Sequence, residues 1–554
     1  LLSIARVFMD FSKDHASAVF SDALKIAEEV DLEALDVLHA LCRVVKRERS
    51  DTPETRELLG AFARVVRHAG DLLQSEDGFP LEEALEAISL SNPPVGAMTA
   101  SRWGDEGFST RGIEIRLFLK TTLDMGWLSA PDGYALAQVL GDVPPSVEDR
   151  ILNDLDEVPD DVGDGLLSHL VERKILQTTP YSDAHIPDNL EELCRSRKSA
   201  AVAWSRLEQI KHFKSIAPAP QKPDSEKADT MRPDPTKENH EDKGKADWDS
   251  VDPLSVEKIA EAQKADRKAR IFDFKERLLE LRTRVRVGDR IKHLNTLAQC
   301  ARESRWPDYE IEAIFAAVDD WPGRATSEWC ANELPKLTVD LGGRTMGYSW
   351  YHGEQFNELQ TRSGLPPEGR RQVVLDLVEQ NAAKLGAASL LKLLAEYVSN
   401  LELKTADELL VRLIARTEAR LNMDDNVRKR YLFEPQNLPS TQSEVVSALI
   451  YRYLGDIDSR VRWQASHALL SAVQLGLADL IQGVFDHATG QFNCHYTFPD
   501  CPFQEMNAAQ QLSMVLARVS SHYPAIIANH EAEILKLWTN CQPHILIGHF
   551  LARA

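Results

Sequence analysis

"DIDSRVRWQASHALLSAV" (residues 456–473) opens with an acidic turn and then runs four helical turns without Gly or Pro. Val461, Ala465, Ala468, Leu469 and Ala472 recur at three- and four-residue spacing, the period of a helix that buries one face. Small residues on that face let an antiparallel partner helix come close. The preceding stretch "SEVVSALIYRYL" (443–454) supplies the partner, joined by a turn from Gly455 to Asp458. Such a pair leaves apolar surface for the next pair, which is the logic of a repeat array. Arg462, Trp463 and His467 fall on the face turned away from that core, where large rigid side chains serve recognition.

The stretch resembles a HEAT repeat, whose second helix follows a turn Asp with Val-Arg and then spaced Ala and Leu. Here those positions are Asp456, Val461, Arg462, Ala465, Ala468 and Leu469. The match is local and is not cleanly repeated elsewhere, so the expected fold is all-α: an α-solenoid of irregular HEAT-like and TPR-like helix pairs. Residues 1–214 read as short amphipathic helices between polar or Pro/Gly turns, an N-terminal helical-repeat region. Residues 215–254, rich in Pro and in both signs of charge, have little to bury and read as a disordered linker.

Residues 255–360 form a further helical region that includes "KADRKARIFDFKERLLELRTRVRVGDRIKHL" (264–294). In it Ile271, Phe274, Leu278, Leu281 and Val285 predict one long amphipathic helix, with Gly288 an interruption. Residues 361–554 read as a HEAT-like C-terminal solenoid. Its last residues stop inside a helical pattern without a C-cap, and the chain begins without Met, so a piece of a longer polypeptide is expected. Thr405 with Glu408 and Thr441 with Glu444 have the spacing of capping boxes.

At 554 residues the chain exceeds what one hydrophobic core organises. The net charge of −22 repels a phosphate backbone at long range, which makes nucleic acid a second-choice partner. Seven scattered cysteines do not form a disulfide framework and point to a reducing, cytoplasmic compartment. No apolar run has the length of a membrane span.

No catalytic motif is present. "KGKAD" (243–247) and "LGGRTMG" (341–347) lack the Gly-Lys-Ser/Thr ending of a phosphate-binding loop, and there is no GxSxG elbow or HExxH helix. His487, Cys494, His495 and Cys501 form the tightest metal-like cluster. Their spacing lacks the close ligand pairs of structural zinc sites, so the stretch reads as a long loop whose Phe492, Tyr496, Phe498 and Phe503 pack on flanking helices. No metal site is expected.

The basic run offers Arg267, Lys268, Arg270, Arg282, Arg284 and Arg286 as an alternative nucleic-acid surface. Interleaved Asp266, Asp273, Glu276 and Glu280 weaken that reading and favour acidic counter-surfaces in this chain or a partner. Trp306, Trp321 and Trp329, two of them in Trp-Pro steps, read as wedges between helices.

Five stretches together, "ASRWGDEGF" (100–108), "GWLSAPDGYALAQVLG" (126–141), "YEIEAIFAAVDDWPGRATSEWC" (309–330), "SRVRWQASHALLSAV" (459–473) and "CQPHILIGHF" (541–550), resemble the helical-repeat portion of large bacterial STAND-class ATPases of anti-phage defence. The resemblance implies a sensor that binds a viral protein and releases oligomerisation. It places ATP and Mg, together with any effector chemistry, in parts of a full-length protein outside this stretch; no cofactor is expected within it. Two rival readings are a constitutive helical scaffold without a switch and a nucleic-acid-binding helical protein acting through residues 264–292.

Overall fold

The computed structural model describes residues 34–73, 79–105, 112–140, 145–155, 158–177, 186–187, 189–216, 246–268, 275–304, 307–345, 351–381, 387–430, 438–490, 496, 503–542 and 544–554. Every regular element among the described residues is a helix, and none is a strand. The fold is all-α, built from helices packed on one another. No helix among the described residues is long and apolar enough to cross a membrane.

Packing groups the chain differently from its sequence order. One compact unit takes Leu1–Ala40 with Pro223–Leu410, and the other takes Leu41–Lys222 with Val411–Ala554. Hydrophobic period reveals which face a helix buries, but not which distant helix covers it.

In the first unit the segment expected to be a linker is partly structured. The helix Lys198–Ile216, which belongs to the other unit, runs past position 215; residues 217–245 lie outside the described residues; and residues 246–254 are docked. Trp248 is buried in the core with Leu278, Leu294, Ile314 and Trp321. Its indole N–H donates to Asp266 Oδ2 at 2.6 Å, and the Ala246 N–H donates to the other carboxylate oxygen at 2.8 Å. His293 Nδ1 lies 2.7 Å from the Pro253 carbonyl. One tryptophan with a satisfied polar edge anchors an otherwise polar segment.

The single long helix expected over 264–292 is divided. The helix Val256–Lys268 comes first, and 269–274, including Ile271 and Phe274, lie outside the described residues. The helix Lys275–Leu281 ends at Leu281 and is followed by 3-10 turns at Arg282–Arg284 and Val287–Asp289; a new helix spans Arg290–Glu303. Leu278 and Leu281 are fully buried, as the period requires. The break falls where β-branched Val285 and Val287 precede Gly288, a sequence with low helix propensity. Trp321 and Trp329 are buried as wedges, Trp329 donating to Asn295 Oδ1 at 2.7 Å, whereas Trp306 lies outside the described residues.

Among the described residues, seven helices carry the C-terminal part of the second unit: α1 (Gln442–Leu454), α2 (Ser459–Gln474), α3 (Ala478–Ala488), α4 (Gln504–Val519), α5 (Pro524–Asn529), α6 (Glu531–Asn540) and α7 (Ile545–Leu551). Earlier segments of the unit meet this part of the chain through polar contacts. The Arg56 guanidinium donates to the Leu438 carbonyl at 3.2 Å, Ser101 Oγ to the Tyr496 carbonyl at 3.2 Å, and the Ser129 N–H to Gln442 Oε1 at 2.8 Å.

The capping box of Thr441 and Glu444 starts α1, each side chain taking a backbone N–H of the other. Thr405 lies inside the helix Leu403–Arg420, so the second expected box does not form. Tyr496 is buried as expected of the loop aromatics, but Phe503 is largely exposed; Phe492 and Phe498 lie outside the described residues.

Candidate recognition face

The alanines of α2 do what their size permits. Ala465, Ala468 and Ala472 have no exposed surface and Leu469 almost none, so α2 lies close against its neighbours. The approach of α3 to α1 is as tight: a Cβ on Gly483 would stand 2.4 Å from Ser447 Oγ.

The turn between α1 and α2 is held by buried charge. Arg452 Nη1 donates to Asp456 Oδ2 at 2.8 Å, and both side chains are almost wholly buried. The other Asp456 oxygen accepts the Asp458 N–H at 2.7 Å, while Asp458 caps α2 by accepting the Arg460 N–H at 2.9 Å. Arg462 reaches back to the same turn and donates to the carbonyls of Asp456 at 2.6 Å and Ile457 at 3.0 Å. Its guanidinium thus fastens the turn, and Ile457 is left 78% exposed at the tip.

One helical turn on, Trp463 is 45% exposed. His467 meets it edge-on, with ring centroids 5.0 Å apart, and the Arg518 guanidinium from α4 lies over the indole at 4.7 Å. Burial, assisted by the Arg518 charge, holds the His467 pKa below the ordinary imidazole value, so the neutral ring is favoured beside the cation. Ser466 Oγ contacts Gln511 Oε1 at 3.2 Å, a further link between α2 and α4. The result is an aromatic platform set by two helices, with a cation on one face and an exposed remainder.

Of the three residues expected on this face, Trp463 and His467 stand together on it, and Arg462 is turned into the loop. Arg518 joins them without any sign in the sequence: it is one arginine among many, and only the packing of α4 beside α2 brings it to the indole.

The basic residues of 264–292 are differently placed. Arg284 donates to the carbonyls of Asp249 and Trp248 at 2.6 and 2.8 Å, and Arg282 pairs with Asp320. Lys275 pairs with Glu312 at 2.6 Å and Lys292 with Asp289 at 2.8 Å. Arg267, Lys268 and Arg286 are exposed, and Arg270 lies outside the described residues. A phosphate backbone would compete with these internal acceptors.

Among the described residues no group of three or more His, Cys, Asp or Glu side chains is placed to hold a metal ion. Of the zinc candidates, His487 is buried and stacked on Tyr451, while Cys494, His495 and Cys501 lie outside the described residues. No protein-family model matches this chain, and no curated protein matches it in sequence.

Proposed function

We propose that this chain is a protein-recognition region, the sensor part of a STAND-class signal-transduction ATPase that acts in the bacterial cytoplasm against viruses. The observation that supports recognition is the Trp463 platform. A large aromatic left half in solvent but gripped by Arg518 and His467 loses little side-chain freedom on binding, which is the property of an interface anchor. The viral ligand and the ATP-driven switch come from the resemblance in sequence.

Ligand binding in such a switch shifts assembly only as far as the ligand prefers the assembling state. The test is capture of purified phage structural proteins by the chain and by its Trp463→Ala and Arg518→Ala variants. Capture that both substitutions weaken supports the reading; capture indifferent to both removes the platform from it. A reading frame with no nucleotide-binding module would instead favour a constitutive scaffold.

A further inference from the structure

The Trp463 platform is a basic spot on an acidic chain. α2 contains no Asp or Glu; its charged side chains are Arg460 and Arg462, and Arg460 lies one turn from Trp463 on the same side of the helix. Among the described residues the Arg518 guanidinium has no ion pair and no hydrogen bond, although it is exposed and lies over the indole. Glu505, the sole acidic residue of α4, stands at the opposite end of that helix, about 20 Å away at the rise of an α-helix. The two carboxylates of the α1–α2 turn are committed, Asp456 to Arg452 and Asp458 to the cap of α2 and to Arg460.

A guanidinium stacked on an indole gives its face to the ring and keeps the N–H groups of its edge. That edge matches the two oxygens of a carboxylate, and the stacking holds it ready. The exposed half of Trp463 and the exposed Ile457 at the turn suit apolar side chains beside such a carboxylate. Charges farther away than about 8 Å are largely screened at physiological salt, so the net −22 does not cancel this local attraction. It does oppose a nucleic acid, whose phosphates would run well past the spot.

We propose that the Trp463 face receives an acidic segment with apolar flanks from its protein partner. One Asp or Glu carboxylate pairs with the edge of Arg518, and a neighbouring apolar side chain covers the exposed indole. The inference rests on the recognition reading above and adds the chemistry of the partner.

The experiment uses the full chain labelled with 5-fluorotryptophan, the Trp463 fluorine resonance being identified by its loss in Trp463→Phe. The probes are acetyl-Ala-Leu-Glu-Leu-Ala-amide, its Gln and Lys analogues, and a short oligothymidylate. The Glu peptide should shift the resonance at a concentration about tenfold lower than the Gln analogue, the gain from a charge-assisted hydrogen bond. Arg518→Gln should erase that preference and Arg518→Lys should keep part of it. Arg518 is exposed, so both variants should fold, which circular dichroism checks. The proposal is overturned by equal or tighter binding of the Gln or Lys peptide or the oligothymidylate, by no shift with any probe, or by a preference that Arg518→Gln leaves intact. Capture of a phage protein that Trp463→Ala weakens and Arg518→Gln strengthens would keep Trp463 as an anchor but overturn the acidic partner. Preference for the Glu peptide without capture of any phage protein would support the acidic partner and remove the viral one.

Discussion

The Arg518 guanidinium stands 4.7 Å from the centre of the Trp463 ring, so α4 supplies the cation that steadies an aromatic side chain of α2. Because the pair is partly solvated, its coupling should be modest. A double-mutant cycle with Trp463→Ala and Arg518→Ala, followed by urea unfolding, should give an interaction energy of about 0.5–1 kcal/mol. Zero coupling would mean that the two side chains do not hold each other.

His467 adds a pH dependence with a definite sign. Its folded pKa lies below the ordinary imidazole value, so its contribution to stability is fully present above that value and is lost as pH falls through the folded one. His467→Gln should remove this acid sensitivity from the Trp463 fluorescence signal. A variant that follows the wild-type profile between pH 7 and pH 5 would assign the effect to another group.

The Arg452–Asp456 pair should be the costliest place to cut the turn. Asp456→Ala leaves the buried guanidinium without its carboxylate and the Asp458 N–H without its acceptor, at about 3–5 kcal/mol. Gly483→Ala should also destabilise, by about 1–3 kcal/mol, because the added methyl meets Ser447. Chemical denaturation measures both; a near-neutral Asp456→Ala would show that the turn does not depend on the pair.

Trp248 anchors residues 246–254, and its removal should free them. Trp248→Ala should cost about 3–5 kcal/mol and bring protease cleavage into that segment. Trp248→Phe, which keeps the ring but not the N–H, should cost about 1–3 kcal/mol for the acceptor left on Asp266. Equal cleavage in wild type and Trp248→Ala would contradict the anchor.

Glu310 is buried, with Gln263 donating to it at 2.9 Å, and burial raises its pKa above the ordinary glutamate value. The fold therefore favours the protonated acid, and stability present below the unfolded pKa is lost as pH rises through the folded one. Glu310→Gln should melt higher than wild type above that window and lose its advantage in acid. Thermal melts at several pH values decide it, since a constant difference would exclude ionisation as the cause.

The helical class of this chain, the small-residue face of Ala465, Ala468 and Ala472, and the cap at Thr441 were legible because each rests on residues a turn or so apart. A wrong expectation at short range has an equally local origin: Thr405 has the spacing of a cap, but the helix begins before it. Composition misled at 246–254, where one Trp outweighs its polar neighbours once a core is there to receive it.

Sequence by itself determined that helices form and which faces they bury, since backbone hydrogen bonding and hydrophobic period act within a few residues. Only the tertiary structure decided that Arg518 meets Trp463 and that Arg462 and Arg284 spend their donors on backbone carbonyls. Those pairings depend on where the chain returns after long separations, and local periodicity carries no record of that.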